Sequence, residues 1–352
     1  MADPIPLIQG AERARRAILA AEQASAVRLA RAYASAYAKL EQDIATLAAA
    51  IAEIPNPTWG QVQRMALYQS LRAQIAEQIN RYAVIAENEI SQTTAESIAR
   101  ALTDTERLVQ LALPGIPAAE VKALLTRLNP DAVATMIGFL DEQSPLYVRL
   151  RTLGDDVAAL VADQLRQGII LGYNPRRVQA LIQRAAGQGL TWSLSSTRTA
   201  NLWAYRLTSH ANYQANSHVV RGWVWWAQVG DKRTCMSCVN MHGSEHGLDE
   251  VLSDHHAGRC TPLPLTASYR DLGFAVDEPA QTFERGESVF QRLSAAEQRE
   301  RMGPAMYAAW RRGAVRFGDL TERYTDDVYG EMMREASLKG LLGERARDFY
   351  RR

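Results

Sequence analysis

The chain has 352 residues, and its 40 basic and 39 acidic side chains leave a formal net charge of +1, without the basic excess typical of nucleic-acid-binding proteins. Three cysteines are too few for a disulfide framework, so a reducing compartment is expected. There is no uncharged apolar run of roughly 18 to 20 residues and no signal-peptide pattern, which predicts a cytoplasmic protein with no membrane segment.

Residues 1–112 predict a long helical hairpin. Heptad spacing of apolar residues predicts one helix over 9–54, and Pro55-Asn56-Pro57 ends it. Thr58 is the predicted N-cap of a second long helix. The two apolar stripes predict either an internal bundle face or a surface for a partner subunit, and the sequence leaves both open. The stripe residues are Tyr33, Tyr37, Leu40, Ile44, Leu47, Ile51 and Ile54, then Tyr68, Leu71, Ile75, Ile79, Tyr82, Ala86 and Ile90.

Residues 113–220 predict shorter helices. Breaks are expected at residues 113–117, at Asn129-Pro130, at Ser144-Pro145 and at residues 172–175. A loop is expected over 186–196, followed by a helix over 197–218. No strand is predicted before residue 221.

Residues 221–266 differ in character and predict a small β-containing module. Aromatic and β-branched residues over 221–229 favour a half-buried strand, and Gly230-Asp231 turns the chain. A short extended segment follows over 261–265, and its two prolines confine it to a sheet edge. All cysteines and histidines of the chain lie between His210 and Cys260.

This confinement predicts a metal site. Two thiolates at Cys-x-x-Cys spacing, Cys235 and Cys238, reach one tetrahedral metal, and Cys260 with His255 or His256 supplies the other pair. Thiolate and imidazole ligands favour Zn²⁺. Four good ligands indicate a closed, structural zinc site rather than a catalytic one.

No other group near this site predicts chemistry. The acidic residues around it, Asp254 among them, are expected to be solvated in a loop. His242 and His246 lie next to glycines. Each is expected either to be solvated or to contact a metal-ligating residue without binding the metal itself. The chain is therefore not expected to be an enzyme.

Residues 267–352 predict a helical C-terminal tail, with a capping box at Ser294 to Glu297 and a break at Gly303-Pro304. The predicted fold class is mainly α. A long helical N-terminal region precedes a small zinc-held α+β module and the helical tail. In chain order the predicted domains are 1–112, 113–220, 221–266 and 267–352.

Two motifs carry a resemblance to a known family. The turn Asp231-Lys-Arg-Thr-Cys-Met-Ser-Cys238 and the closing segment His255-His-Ala-Gly-Arg-Cys260 are similar to those of the Mu F-like phage head morphogenesis proteins, also called minor head or minor capsid proteins. Matching Arg259-Cys260 to the family pattern places His255 on the family histidine, with His256 as the alternative. It also places Gly258 where many members have another cysteine.

The resemblance implies a structural and assembly component of the virion. Such a protein docks at the portal vertex inside the capsid, aids head morphogenesis and is made in the host cytoplasm. The implied partner is the portal protein. The resemblance leaves open whether the chain also contacts the major capsid or scaffold protein, packaged DNA or further copies of itself. It also leaves open a role in DNA ejection. Two alternatives remain at this point, a metal-dependent nuclease and a zinc-ribbon nucleic-acid-binding adaptor.

Overall fold

The computed structural model describes residues 5–137, 144–171, 175–279 and 281–350. It is mainly α-helical with a small α+β module, as predicted from the sequence. The predicted break at residues 172–174 lies outside the described residues. The helices of the first 220 residues are α1 (Ile5–Ala52), α2 (Trp59–Arg64), α3 (Ala66–Ala112), α4 (Ala118–Leu124), α5 (Pro130–Ile137), α6 (Pro145–Ile170) and α7 (Pro175–Ala215).

The two apolar stripes of α1 and α3 form an internal face of the chain. Along α1, Tyr33 and Leu40 are among the buried stripe residues, and all seven stripe residues of α3 are buried. The rings of Tyr33 and Tyr82 pack edge to face with centroids 4.9 Å apart. Of the two alternatives, the stripe is therefore an internal bundle face.

The second helix does not run unbroken from its predicted N-cap. Thr58 does cap a helix, and its side chain forms the capping box with Gln61. That helix is the short α2, because Met65 is extended, with ψ of 129°. The break accompanies the full burial of Val62 and an edge-on contact between Trp59 and Tyr68.

The predicted loop at residues 186–196 is wrong, since α7 continues through it without interruption. Gly187 and Gly189 led to the loop prediction because glycine usually marks a break. A Cβ at position 189 would lie 2.9 Å from Val157 Cγ2 of α6. Gly189 therefore serves close packing between two helices rather than a turn.

The predicted β module contains a three-stranded antiparallel sheet in the order β2-β1-β3. Its elements are β1 (Val220–Trp226), α8 (Met236–Met241), β2 (Glu245–His246) and β3 (Thr261–Thr266). Strand β3 lies at an edge, as its prolines predicted, and pairs Pro262 with Trp225 and Pro264 with Trp223.

The prediction of a helical tail is wrong in part, because a β-hairpin interrupts it. The tail contains α9 (Gly286–Gln291), α10 (Ala295–Met302), α11 (Pro304–Arg311), β4 (Thr321–Asp326), β5 (Gly330–Glu335), α12 (Leu338–Leu342) and α13 (Arg347–Tyr350). The hairpin turn forms because Asp326 Oδ1 accepts the N–H groups of Val328 and Tyr329, and Gly330 has a φ of 73°. The capping box of Ser294 and Glu297 and the break at Gly303 are confirmed.

Packing groups the chain into two compact units. One comprises the described residues of 20–94 and 138–201, and the other those of 1–19, 95–137 and 202–352. The second unit contains the sheet, whose core includes the fully buried rings of Trp223, Trp225 and Tyr213. Within the described residues, no helix is long and apolar enough to cross a membrane.

Candidate metal centre

The Cys-x-x-Cys pair lies at the start of helix α8, just after the turn that follows β1. Cys235 is the N-cap residue of α8, and its Sγ accepts the N–H of Cys238 at 3.4 Å. The short helix thus places both sulfur atoms on its first turn. Cys235 is partly exposed, whereas Cys238 is buried.

The remaining candidate ligands come from the segment 247–260 between β2 and β3, which contains no helix or strand. Its turn at His255 to Gly258 is closed by the N–H of Gly258, which donates to the carbonyl oxygen of His255 at 2.9 Å. Ala257 adopts a positive φ of 56° within it. The turn brings His255 and Cys260 back towards the start of α8.

The ligand atoms form two overlapping sets that share Cys238. In the first, His255 Nε2 lies 3.1 Å from Cys235 Sγ and 3.3 Å from Cys238 Sγ. In the second, the ligand atoms of Cys238, Asp254 and Cys260 all lie within 4.8 Å of one another. A tetrahedral zinc site has a sulfur-to-nitrogen separation of about 3.5 Å. The donors of Cys235, Cys238 and His255 therefore fit one tetrahedral thiophilic metal after shifts of a few tenths of an ångström, whereas Cys260 lies in the second set, which shares Cys238 with the first.

The structure distinguishes the two neighbouring histidines. His255 Nδ1 lies 2.8 Å from the carbonyl oxygen of His256, and a carbonyl only accepts. Nδ1 is therefore protonated, and Nε2, which faces the cysteines, is the atom that can bind a metal after it loses its proton. His256 Nε2 instead lies 2.9 Å from Asp326 Oδ2, and its ring packs near Tyr329. His256 is outside both ligand sets.

A buried ion pair supports the centre, and the sequence did not predict it. Arg206 and Asp254 side chains are 2% and 1% exposed, and Arg206 Nη2 lies 2.8 Å from Asp254 Oδ2. Arg206 also donates to the carbonyl oxygens of Gly258 at 2.7 Å and Cys260 at 3.0 Å. The side chain of Arg206 in α7 therefore binds both the Asp254 carboxylate and the backbone of the ligand segment (residues 247–260).

The expectation that Asp254 is solvated is wrong. Its carboxylate accepts the N–H groups of His255 at 2.9 Å and Cys260 at 3.2 Å, besides the guanidinium of Arg206. Burial opposes its charge, but Arg206, His255 and these N–H groups outweigh burial and lower the pKa of Asp254. Asp254 is thus an ionised, fully occupied carboxylate.

The same carboxylate lies against Gly258. A Cβ there would lie 2.1 Å from Asp254 Oδ2, so a side chain at this position would displace the carboxylate.

Among the three cysteines, only Cys235 has a lowered pKa. The hydrogen bond with Cys235 is the largest cause that raises the pKa of Cys238, and burial raises the pKa of Cys260. The hydrogen bond with Cys238 is the largest cause that lowers the pKa of Cys235, to about 6. Burial lowers the pKa of His255, but Cys235 and Asp254 raise it more, to about 9. Without a metal, the Cys235 thiolate therefore lies beside the His255 imidazolium, and binding of a metal releases the protons of His255, Cys238 and Cys260.

His242 is buried rather than solvated. Only 2% of it is exposed, and its Nδ1 accepts the N–H of Ala227 at 3.1 Å. Burial lowers the pKa of His242 to about 4, so the ring is neutral. It joins the end of β1 to the end of α8 and does not face the cysteines.

Ser244, His246 and Glu250 form a hydrogen-bonded chain whose order resembles that of a hydrolytic triad. His246 Nε2 lies 2.7 Å from Ser244 Oγ, and His246 Nδ1 lies 3.0 Å from Glu250 Oε2. Ser244 is 9% exposed, however, and its Oγ also lies 2.6 Å from the carbonyl oxygen of Met241. The His246 ring stacks on Trp223. The chain of hydrogen bonds therefore fixes the β2 turn rather than presenting a nucleophile.

Comparison of the chain with protein-family models, with curated proteins and with solved structures finds no match. The centre itself, with sulfur, imidazole and carboxylate groups gathered at the start of α8, is a candidate metal-binding site.

Proposed function

We propose that the chain is a structural and assembly protein of a tailed-phage head, a minor head protein similar to the Mu F-like family. The observation that supports it most is the pairing of two motifs. The Asp-x-Arg-Thr-Cys-x-x-Cys turn ending at Cys238 and the closing segment ending at Cys260 lie far apart along the module, and their ligand atoms come together. Both motifs that carry the resemblance thus belong to one centre.

The metal in this proposal is a structural Zn²⁺ held by Cys235, Cys238, His255 and Cys260. Soft sulfur and imidazole donors suit zinc better than magnesium or calcium. A catalytic zinc needs a nearby base to activate water. The only carboxylate in the two ligand sets is that of Asp254, which Arg206 and two backbone N–H groups already occupy. The donor set and its surroundings therefore favour cross-linking of the fold over hydrolysis.

The partner in this proposal is the portal protein, at the portal vertex inside the capsid. The net charge of +1 favours a protein surface over a bare polyanion as the main partner. The buried α1 and α3 stripes leave the polar faces of these helices for docking, and the contacts with capsid, scaffold and DNA follow from the resemblance alone.

A pull-down tests the proposal. The full chain, loaded with zinc and tagged, is mixed with the portal protein encoded beside it in the same genome, and with a portal protein from an unrelated phage as the control. We expect a complex with the first and none with the second. Mass spectrometry of purified virions is expected to detect the chain. A clean absence from both the complex and the virion would refute the proposal.

One observation favours the nuclease alternative enough to test it. The side chain of His255 is 29% exposed and lines a cleft together with Arg15 and Arg259. A plasmid-nicking assay with Mg²⁺ or Mn²⁺ distinguishes the two functions. Nicking that disappears in His255→Ala and persists in His256→Ala would establish a nuclease in place of a structural role.

A further inference from the structure

A cleft of about 270 Å³ opens over the metal centre. Its floor contains the ligand residues, and three arginines from separate segments stand around it: Arg15 of α1, Arg233 of the turn after β1, and Arg259 of the segment before β3. All three belong to the same compact unit. The cleft therefore concentrates positive charge at one place in a chain whose overall charge is close to zero.

Among the residues that the structure describes, Arg233 is the one of these three arginines that forms an ion pair. Arg233 pairs with Asp231, which lies on the same cleft, at 2.7 Å. Arg15 and Arg259 are each only partly exposed, and neither has a hydrogen bond or ion pair with any residue that the structure describes. Glu12 and Asp231 are near enough to favour the charge of Arg15, and Arg259 is near enough to help lower the pKa of Asp231, but neither arginine forms an ion pair with these carboxylates.

The charge of Arg15 is partly desolvated and lies close to other positive charges. Burying a charged group costs free energy unless the group is paired. Burial is the largest cause that lowers the pKa of Arg15, and the positive charges of Arg16 and Arg259 lower it further. An anion in the cleft would relieve both the burial cost and the repulsion between Arg15 and Arg259.

The bound metal does not cancel this charge. Zinc with three thiolates and one imidazole carries one net negative charge, which offsets one of the two unpaired arginines. Because Arg233 and Asp231 offset each other, the cleft keeps a net positive charge when zinc is present.

We propose that this cleft binds a phosphate group between Arg15 and Arg259. A guanidinium presents a planar fork of donors to an oxyanion. A tetrahedral phosphate can accept two hydrogen bonds from each of two guanidiniums that approach from different sides, and it carries more negative charge than a planar carboxylate near pH 7. Two arginines from separate segments therefore fit phosphate better than carboxylate. This inference is independent of the proposed function, because it requires no portal protein.

Calorimetric titration of the zinc-loaded full chain with inorganic phosphate, in a buffer without phosphate, tests the proposal. Arg15→Gln and Arg259→Gln each remove one guanidinium from the cleft. Arg16→Gln is the matched control, because it removes the same charge from an exposed neighbour on α1. Loss of a charge-assisted hydrogen bond predicts about tenfold weaker phosphate binding in the first two variants. The control is expected to bind within about twofold of the wild type.

A second arm identifies the source of the phosphate. A short oligothymidylate without terminal phosphates is added as a competitor. Competition that the two cleft variants weaken supports a phosphodiester ligand, and phosphate binding without such competition supports a free phosphate.

Three outcomes would overturn the proposal. The first is a wild-type chain that gives no saturable heat with phosphate. The second is an Arg15→Gln variant that binds as the wild type does. The third is an Arg16→Gln variant that loses as much affinity as Arg15→Gln. Zinc content is measured for every variant. If Arg259→Gln loses zinc, the phosphate affinity of Arg15→Gln alone tests the proposal, because Arg15 lies on a different element from the metal ligands.

Discussion

Replacing Arg206 by glutamine is expected to destabilise the β module severely, although Arg206 is not a metal ligand. The side chains of Arg206 and Asp254 are 2% and 1% exposed, so solvent cannot compensate for a missing partner. Removing one member of a buried ion pair typically costs about 3 to 5 kcal/mol, because the other charge is left uncompensated. The carbonyl oxygens of Gly258 and Cys260 would each also lose a donor, at about 1 kcal/mol. We therefore expect a loss of at least about 3 kcal/mol in the free energy of unfolding of the module.

Urea unfolding followed by near-ultraviolet circular dichroism measures this loss, since Trp223 and Trp225 are fully buried in the module. Arg233→Gln is the matched control. It breaks an ion pair in the same module, with Asp231, but its side chain is 76% exposed. The control is expected to leave the urea midpoint unchanged.

A double-mutant cycle separates the ion pair from other effects of the substitution. Asp254→Asn alone leaves Arg206 buried without its counter-charge, and Arg206→Gln with Asp254→Asn removes both charges. We expect the double variant to be more stable than the sum of the single losses by about 2 kcal/mol or more. Additive losses, or an Arg206→Gln midpoint equal to that of Arg233→Gln, would refute the assignment of Arg206 to the support of the metal centre.

Three further predictions concern the same module. Elemental analysis should give about one zinc per chain, and Cys260→Ser should lower the metal content and loosen the module, because metal binding contributes folding free energy; a metal-free, fully folded protein would contradict the site. Gly258→Ala should cost about 1 to 3 kcal/mol, because its Cβ would lie 2.1 Å from a carboxylate oxygen, whereas Gly230→Ala meets nothing within 4 Å and should be tolerated. The pKa of His242, about 4 in the fold against 6.5 ordinarily, means that the unfolded chain takes up the proton first as pH falls. Stability should therefore decrease by about 2 to 3 kcal/mol from roughly pH 7 to pH 4.5, and His242→Gln, which keeps an acceptor for Ala227 but does not titrate, should remove that part of the slope.

The metal centre could be predicted from the sequence because its residues are rare. Three cysteines and two neighbouring histidines in one segment predicted candidate ligands, and the structure brings the cysteines and His255 into two overlapping sets. Both β1 and the edge position of β3 followed from residue types. The choice between His255 and His256 needed the structure, since adjacent residues have the same spacing to Cys260. The hydrogen bond from His255 Nδ1 to the next carbonyl, together with Asp326 opposite His256, decides which ring faces the sulfur atoms.

The support of the centre could not be predicted because charged residues are usually solvated. Asp254 lies in a polar loop, and Arg206 is 48 positions away along the chain. A signal was present, since Arg206 stands in the apolar and aromatic stretch Leu202–Leu207 of a helix, where a charge requires a buried partner. The hairpin of β4 and β5 was missed for a similar reason. Its turn depends on a side-chain contact of Asp326 with backbone N–H groups rather than on a glycine pair.

The module's own secondary structure is too slight to fix the ligand segment, which is why the metal and Arg206 matter together. Strand β2 has two residues, and the prolines of β3 cannot donate to β1. The segment 247–260 contains no helix or strand, and ordering such a stretch costs conformational entropy at every residue. Zinc would join its end to the start of α8 through Cys260 and His255, while Arg206 binds three acceptors of the same segment from α7. The side chains of Trp223 in β1 and Gln214 in α7 also donate to the carbonyl oxygens of Glu250 and Leu248, so the first part of the segment is anchored without a metal. Residues 254–260 rely on zinc and Arg206 together, and loss of either contact is expected to loosen these residues.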